Sequence, residues 1–491
     1  MEQFISTVKS QVIPLSSVDM LSGMVSIPYA TFYQNTSAIE DFMPSEQLKT
    51  AFYLALQMFP ILAGHLKQNK SGRFSMVVDK DNLNMPEYLE STSDVHYNDI
   101  KFAGFDRRAW PSGVATVGPV MAPDANGIIK TANTHIVRLK DNSGLILFLS
   151  IIHCVVDGFA YFAFLNQWAA ECKAVRDGAV EVPRPLVEFT FDRSIIEQNL
   201  QTERKQLDAT MSSIFARPSL LSKWLTWLSP EMRGTMLRFL VSLTATETHV
   251  FHIADSTLET LRSSVREFVP EGMRLSDNDV LVALLSKTFA QAQRSAKERG
   301  GNIVTRALGS VGSAALGLLF GVEEHQVASM TCDIRPRIGI ADKNYIGCPQ
   351  IFLFVSNPLD ELLTPTTAES LASTASNVRK LVDNLDAPYV RAFIDAMGSA
   401  PSSFTKTAAY IMKHPTLLLT SNHTRFRMFE ADFGDGPQDW VAFINERPAT
   451  VILMPCPPPM KGVNISICAE APVFNEILAN TFWMSAVSQI N

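Results

Sequence analysis

The first third of the chain combines helical and strand-like spacing of its apolar residues. Ser45 precedes a predicted helix, which Pro60 ends. The apolar face of this helix is formed at helical spacing by Leu48, Phe52, Ala55 and Phe59. Strands are predicted at Arg73–Val78, Ile136–Leu139 and Gly144–Ile152. The last of these is apolar almost throughout, which is typical of a strand buried on both faces.

A similar mixture of elements continues through the second half. The helix predicted after the buried strand has an apolar face made of Phe162, Leu165, Trp168, Ala169 and Cys172. Residues 276–279, SDND, have the form of a capping box in front of another helix, which Gly300-Gly301 stops. Its apolar face consists of Leu281, Leu284, Leu285, Phe289 and Ala292. The strands predicted here are Thr248–Ile253, Ser329–Ile334, Ile351–Val355, Thr450–Met454 and Val463–Cys468. The predicted fold class is α/β, with two sandwiches of similar size.

A connection between the halves is predicted at Val180–Thr246, where prolines break the chain into short segments. These prolines are Pro183, Pro185, Pro218 and Pro230. The length of 491 residues also exceeds what one hydrophobic core usually serves, about 250–300 residues. We therefore predict an N-terminal domain at 1–195, a crossover linker at 196–246 and a C-terminal domain at 247–491.

Composition narrows the classes of function. The chain is 46% hydrophobic and 19% charged with a mean hydropathy of +0.08, which indicates a globular protein with a large interior. A net charge of −7 without a basic run argues against a nucleic-acid partner. The six cysteines form neither a CxxC pair nor a zinc-spaced cluster. We expect reduced thiols, no metal site and a cytoplasmic location.

No segment predicts export or a membrane span. Residues 1–15 lack the continuous apolar stretch of a signal peptide. The longest apolar run, Ala307–Val322, is shorter than the ~20 residues that a spanning helix needs. We interpret it as a buried or lid-like helical segment, with a membrane-touching loop as the alternative.

The candidate chemistry is concentrated at the end of the buried strand, in residues 151–158, IIHCVVDG. Acyl transfer needs a base for the acceptor proton and donors for the tetrahedral oxygen. His153 suits the first task because the pKa of histidine lies near ~6.5. From these residues alone, a structural histidine held by hydrogen bonds remains the alternative. Cys154 should point to the opposite face of the strand, so we interpret it as a core residue.

The H-x-x-x-D-G pattern resembles the active-site motif of the BAHD acyltransferases, a plant and fungal family of CoA-dependent enzymes. Further segments are similar to family motifs and follow in the family's order: PLSSVD at 14–19, FPILAGHL at 59–66, DIRPR at 333–337 with YIG at 345–347, and DFGDG at 432–436. This ordered set covers nearly the whole chain and is more specific than any one motif. The departures from the family pattern and the apolar run resemble fungal members of secondary metabolism.

The resemblance implies two chloramphenicol-acetyltransferase-like α/β sandwich domains with the active site at their interface. It implies that His153 is the general base of a ternary complex that forms no acyl-enzyme. No cofactor would be bound permanently; acyl-CoA, with acetyl-CoA as the default, would be the co-substrate. The acceptor would be a hydroxyl, or an amine, of a small natural product, and we expect the chain to act as a monomer.

The resemblance also implies structural positions. Asp157, followed by Gly158, would be turned from the reaction centre and paired with Arg335, or alternatively with Arg337. Asp432, Gly434 and Gly436 would form a tight loop that shapes the second domain. Asp435 stands in this loop where the family usually has tryptophan.

A second departure lies upstream of that loop, where the family's [ST]-S-W triplet reads TSN at 420–422. An indole N–H and an amide can both donate a hydrogen bond, so we expect Thr420 and Asn422 to stabilise the oxyanion or orient the acceptor. Ordinary polar residues at a strand end are the alternative. Ser276 is expected near a CoA phosphate, because helix N-termini favour anions, or it serves only as an N-cap.

Two other functions remain open. Condensation domains of nonribosomal peptide assembly carry H-H-x-x-x-D-G and take the acyl group from a carrier protein. Ile152 stands in place of their first histidine, and the DFGDG loop favours the BAHD family. A binding protein without turnover is the second alternative, against which the intact His153, Asp157 and Gly158 argue.

Overall fold

The computed structural model describes residues 2–22, 25–68, 74–113, 129–178, 188–216, 246–299, 324–397, 414, 417–444 and 447–491. Four predicted features therefore lie wholly or partly outside the described residues. They are the first residue of the strand predicted at Arg73–Val78, the apolar run at 307–322, the Gly300-Gly301 stop, and the parts of the predicted connection at 180–187 and 217–245.

Helices occur in both halves of the chain. Those of the first half are α1 (Glu2–Thr7), α2 (Ser45–Met58), α3 (Tyr97–Phe102), α4 (Gly158–Arg176), α5 (Ser194–Gln198) and α6 (Ala209–Ala216). Those of the second half are α7 (Asp255–Arg266), α8 (Asp277–Arg299), α9 (Leu359–Leu363), α10 (Ala368–Asn384), α11 (Ala387–Met397), α12 (Ala471–Ala479) and α13 (Thr481–Ala486).

The strands form three sheets. Strands of the first half are β1 (Gln11–Pro14), β2 (Ser26–Gln34), β3 (His65–Gln68), β4 (Phe74–Val78), β5 (Glu87–Thr92), β6 (Ala132–Arg138) and β7 (Gly144–Ile152). Strands of the second half are β8 (Thr246–Ile253), β9 (His325–Asp333), β10 (Gln350–Pro358), β11 (Leu418–Asn422), β12 (Trp440–Phe443), β13 (Thr450–Pro455), β14 (Val463–Glu470) and β15 (Ser488–Gln489). Their orders are β1-β4-β3, β12-β2-β7-β6-β5 and β10-β9-β11-β13-β14-β8-β15.

Strand β7 lies at the centre of the five-stranded sheet and leads to the site. It pairs antiparallel with β2, where Ser26 faces Ile152, and with β6, where Ala132 faces Ile151. All nine of its residues are buried, as their apolar sequence predicted. His153 follows directly, and a short turn leads from it into α4.

The chain returns to this first sheet near its C-terminus. Strand β12 pairs antiparallel with β2, with Trp440 opposite Phe32. The C-terminal range predicted at 247–491 therefore contains a strand that belongs spatially to the five-stranded sheet. The predicted boundaries of the two domains and the linker stay a prediction.

The seven-stranded sheet is mixed, since β11 runs parallel to both β9 and β13 while the other pairs are antiparallel. Side chains alternate between the two faces of a strand. Val451 and Leu453 belong to the apolar core that includes α8 and α10. Ile452 and Met454 belong to the core of the five-stranded sheet. One face of the large sheet is therefore turned towards the first half of the chain.

The elements with strong periodicity are confirmed. The predicted helices correspond to α2, α4 and α8. The predicted strands correspond to β4, β6, β7, β8, β9, β10, β13 and β14. All six cysteines are free, and four are buried. Within the part of the chain that the structure describes, no helix is both long and apolar enough to cross a membrane.

Candidate active site

His153 is half-buried in the turn between β7 and α4. Its Nδ1 lies 3.1 Å from the carbonyl oxygen of Val156. A carbonyl only accepts, so Nδ1 carries the proton and Nε2 is the unprotonated nitrogen. The Val156 carbonyl is thus the partner that fixes the tautomer, which the sequence did not identify. Nε2 is left free to accept a proton.

Gln350, the first residue of β10, brings the seven-stranded sheet to this nitrogen. Its amide Nε2 lies 3.3 Å from Nε2 of His153 and donates at 2.7 Å to the hydroxyl of Ser22. Because Nε2 of His153 is an acceptor, the amide nitrogen is the correct group to face it. The imidazole therefore lies between residues from the two large sheets.

Burial lowers the pKa of His153 below its ordinary value of 6.5, while the charge of Asp157 and the hydrogen bond to Val156 oppose the shift. The ring is therefore neutral at physiological pH. A neutral imidazole with a free Nε2 is the form that a general base needs.

Asp157 and Arg335 form a buried ion pair, with 2.6 Å between Oδ2 and Nη1. The other oxygen, Oδ1, accepts from the backbone N–H of Ala160 and caps α4. Arg335 also donates to the carbonyl of Tyr345. The structure thus brings Asp157 together with Arg335, and both of its carboxylate oxygens are engaged. Arg337, the alternative partner, is exposed.

Two thiols lie near the histidine. Cys154 is fully buried, and burial raises the pKa of its thiol to about 12. The Sγ of Cys348 lies 3.3 Å from Nδ1 of His153, the nitrogen that already carries a proton. Burial also raises the pKa of Cys348 well above its ordinary value of 9.0. Neither thiol is activated as a nucleophile.

Thr420 and Asn422 lie on the face of β11 that is turned away from the first half. In register they pair with Val451 and Leu453, whose side chains pack towards α8. Thr420 donates to the carbonyl of Ser329, and Asn422 donates to Asn278 of α8 at 2.9 Å. The structure does not bring these two side chains to His153, and their role as oxyanion donors stays a prediction.

Comparison with known proteins finds relatives in sequence and in structure. A model of the family described as the Transferase family matches residues 5–219. The BAHD acyltransferase DCR of Arabidopsis thaliana is 23% identical over 408 residues, covering 81% of this chain and 70% of the relative. The chain is thus similar to the BAHD acyltransferases in sequence.

Solved structures share the fold of this chain over nearly its whole length. F. graminearum TRI101 complexed with coenzyme A and deoxynivalenol is similar with a TM-score of 0.69 and 14% identity, covering 98% of this chain and all of that one. Vinorine synthase is similar with a TM-score of 0.61 and 16% identity, covering 96% of this chain and 94% of that one. The two-domain fold that the sequence implied is thereby confirmed.

The DFGDG loop at 432–436 is bound to the first half of the chain. Asp432 accepts from the backbone N–H groups of Gly434 and Gly436 and from Lys173 of α4. Both glycines have positive φ, 114° and 108°, which disfavours side chains. From the sequence, this loop was expected to shape the second domain. Its hydrogen bonds to another element instead join it to the C-terminal end of α4.

Asp435, where the BAHD family usually has tryptophan, fixes the same loop by charge. Its side chain is buried and accepts at 2.9 Å from the backbone N–H of Met43. It also pairs with Arg176 at the end of α4. A carboxylate with these two partners anchors the loop without an indole ring.

Ser276 closes the capping box of α8, as its pattern predicted. Its backbone N–H donates to Asp279 Oδ2 at 2.7 Å, and its hydroxyl accepts from the backbone N–H of Asp279. The proposed proximity to a CoA phosphate stays a prediction. Among the described residues, no group of three or more His, Cys, Asp or Glu side chains is placed to hold a metal ion.

Sequence reasoning missed several residues that lie where the two large sheets meet. Gln350 follows the YIG motif without matching a family pattern quoted above, and its contact depends on pairing between two distant strands. Ser421 lies on the opposite face of β11 from Asn422, and His423, which follows the strand, contacts Tyr29 of β2. The alternation of side chains along a strand could have separated Ser421 from its neighbours, because Ser421 must point away from the face of Thr420 and Asn422.

Proposed function

We propose that the protein transfers an acyl group from an acyl-CoA thioester to a hydroxyl of a small molecule, with His153 as the general base. The observation that carries this proposal is the state of one imidazole: Nδ1 donates to Val156, and Nε2 is unprotonated and faces the other sheet. An amine acceptor would use the same base.

The proposed reaction needs no covalent intermediate on the protein. An acceptor hydroxyl replaces the Gln350 amide as the donor to Nε2 of His153. As its oxygen attacks the thioester carbonyl, the proton moves to Nε2 and a tetrahedral oxyanion forms. The carbon–sulfur bond then breaks, and the departing CoA sulfur takes the proton back from the imidazolium. The ester, free CoA and neutral His153 remain, so atoms and charges balance.

The buried Asp157–Arg335 pair supports this assignment by its position. It anchors the first turn of α4, four residues after His153, to the loop that follows β9. The carboxylate is already engaged by Arg335 and by the backbone of Ala160, so it orients the turn and takes no proton from substrate.

The substrates are proposed from the relatives. The TRI101 neighbour was solved with coenzyme A and deoxynivalenol, and the curated relative is a BAHD acyltransferase. We therefore propose acyl-CoA, with acetyl-CoA as the default, as the donor and a small hydroxylated natural product as the acceptor. A secondary-metabolism role, a cytoplasmic location and a monomeric state are predictions that accompany this proposal.

The test is an acyl-transfer assay with a panel of donors and acceptors. The purified protein is incubated with acetyl-CoA, malonyl-CoA or longer acyl-CoAs and with deoxynivalenol or simple aromatic and aliphatic alcohols. Release of free CoA and the mass of the ester are measured, with His153→Ala as the matched control. The proposal expects an ester that depends on both the acyl-CoA and His153. Transfer from a carrier-bound acyl group but from no free acyl-CoA would favour the condensation-domain alternative, and binding without any transfer would favour the non-enzymatic one.

A further inference from the structure

A second imidazole, that of His423, lies where the two large sheets meet and is not used by the mechanism above. His423 follows β11 directly, and its Nδ1 lies 2.6 Å from the phenol oxygen of Tyr29. Its Nε2 lies 2.7 Å from the hydroxyl oxygen of Ser421. The charge that His153 carries when protonated lowers the pKa of His423. A Tyr29–His423–Ser421 chain of hydrogen bonds therefore connects the two halves at the site.

The direction of this chain follows from the donors and acceptors. Tyr29 is fully buried, and within the described residues the hydrogen bond to His423 is the one shown for its hydroxyl. A buried hydroxyl proton needs an acceptor, so the phenol donates to Nδ1. The proton of neutral His423 is then on Nε2, which donates to Ser421. Because the Ser421 oxygen accepts this bond, its own O–H remains available for a ligand.

The aromatic surroundings keep His423 in this neutral state. Its ring stacks on Phe426 at a centroid distance of 4.9 Å and meets the edge of Phe443 at 6.0 Å. Burial, together with the charge of a protonated His153, lowers the pKa of His423 to about 3. The ring is therefore a fixed donor and acceptor across the working pH range, and it is not a second base.

Sheet geometry places the Ser421 hydroxyl on the same side as Gln350, which contacts His153. Gln350 is opposite Asp333 in register, and Leu419 is beside Ser329. Residues two apart on a strand share a face, so Gln350 and Ser421 project from one face of the large sheet. Their strands flank β9 and lie about 10 Å apart, at ~4.8 Å per strand. Ser421 lies level with Thr331, two residues along β9 from Asp333, and it pairs in register with Ile452, which belongs to the core of the five-stranded sheet. The face that carries Gln350 and Ser421 is therefore the one turned towards the first half of the chain.

We propose that the Ser421 hydroxyl is the hydrogen-bond donor to the tetrahedral oxyanion and that Tyr29 and His423 are positioning residues that fix its direction. No proton is transferred along these hydrogen bonds. They only leave the O–H group of Ser421 free to donate to the oxyanion. The inference rests on the proposed function, because an oxyanion forms only if acyl transfer takes place. It assigns the role that the sequence gave to Thr420 and Asn422 to the residue between them.

The first test reads the tautomer of His423 without any substrate. The ¹⁵N resonances of histidine-labelled protein are assigned with His423→Gln. The proposal expects a protonated Nε2 and an unprotonated Nδ1, and it expects Tyr29→Phe to disturb this tautomer. Tyr161→Phe is the matched control, since Tyr161 is buried against Tyr29 but donates to the carbonyl of Leu149. A protonated Nδ1 in the parent protein would overturn the proposal.

The second test measures transfer from acetyl-CoA to deoxynivalenol, and to water when no alcohol is added, as release of free CoA. Ser421→Ala should lower kcat by about 10²–10³-fold with KM changed less than about threefold, whereas Ser421→Thr should restore most of the rate. Tyr29→Phe should lower kcat in the parent but by less than about twofold further in Ser421→Ala, because Tyr29 acts through Ser421. Equal effects of Tyr29→Phe in both backgrounds would show a merely structural role and overturn the relay.

The two proposals can fail separately. Loss of transfer in His153→Ala together with a parent-like rate in Ser421→Ala would reject the Ser421 assignment and leave the proposed function standing. A parent-like rate in His153→Ala would reject the proposed function itself.

Discussion

Arg335 and Asp157 meet across 178 positions of sequence and form an ion pair in which both side chains are at least nine-tenths buried. Asp157 caps the helix that follows His153, and Arg335 follows β9 of the large sheet. The pair therefore connects the turn that carries the proposed base to the other half of the chain.

Removal of one partner should destabilise the fold. Arg335→Ala leaves a buried carboxylate without its cation and should lower the free energy of unfolding by about 3–5 kcal/mol. Arg337→Ala is the matched control, because Arg337 is exposed and should cost less than ~0.5 kcal/mol. Urea denaturation of both variants measures the difference. Equal stability of the two variants would contradict the structural role of Arg335.

The pH dependence of transfer should reflect the lowered pKa of His153. The base must be neutral, so kcat/KM rises as the pH passes upward through this pKa. Because burial lowers the pKa below 6.5, the acid limb should lie below pH 6.5 and the rate should be at its plateau by pH 7. A pH–rate profile with excess acceptor measures this. An acid limb centred above pH 7 would contradict the assignment.

The free energy of unfolding should fall in acid, because the pKa of a second histidine, His423, is also lowered in the folded protein. Burial, with the charge of a protonated His153, lowers the folded pKa of His423 from 6.5 to about 3, so between these values the unfolded chain binds a proton that the folded chain does not. The contribution of neutral His423 to the free energy of unfolding is complete above pH 6.5. It is lost as the pH falls towards 3, by at most ~1.4 kcal/mol per pH unit. Denaturation of the parent and of His423→Gln from pH 7 to 4 measures it. The variant should lose less stability over this range, and an identical loss would contradict the burial of a neutral His423.

Cys348 should be dispensable for transfer, although its Sγ contacts His153. Its pKa is raised by burial and the nearby Nδ1 already carries a proton, so the thiol is not a nucleophile. Cys348→Ser should lower kcat by less than about tenfold, whereas loss of a nucleophile would abolish turnover. Intact-mass measurement after rapid mixing of the parent with acetyl-CoA should detect no acetylated protein. An acetyl adduct that is absent in Cys348→Ser would contradict the direct mechanism.

The DFGDG loop should affect stability more than chemistry. Asp432→Ala removes the acceptor of two loop N–H groups and should cost about 1–3 kcal/mol, while Asp432→Asn keeps an oxygen in place and should cost less. The loop binds the far end of α4, a helix of 19 residues and hence about 28 Å in length. The kcat of folded Asp432→Ala should therefore stay near that of the parent, as measured by urea denaturation and transfer assays.

The periodic elements could be predicted from sequence because burial imposes its pattern locally. The apolar run of β7 and the helical faces of α2, α4 and α8 needed no knowledge of distant residues. The pairing of β12 with β2 could not be predicted, because Trp440–Phe443 is a short segment whose partner lies about 400 residues earlier. Hydrophobic patterning gives the period of a strand but not its neighbour.

The residues of the candidate site also fall into those that could be predicted from the sequence and those that could not. The H-x-x-x-D-G pattern at 153–158 could be recognised because a local turn and a capped helix constrain residues that are close together in sequence. The oxyanion donors could not be chosen from TSN alone, because one residue of register decides whether Thr420 or Ser421 faces the site. Tyr29 and Gln350 were missed since each reaches the site only through the meeting of two sheets.

The most direct measurement is the kcat of His153→Ala in transfer from acetyl-CoA, in a variant whose melting temperature and coenzyme A affinity match those of the parent. The account predicts a loss of at least about 10²–10⁴-fold, because Nε2 of His153 is the atom proposed to take the acceptor proton. A rate within tenfold of the parent would show that the free Nε2 at the meeting of the two sheets is not the base.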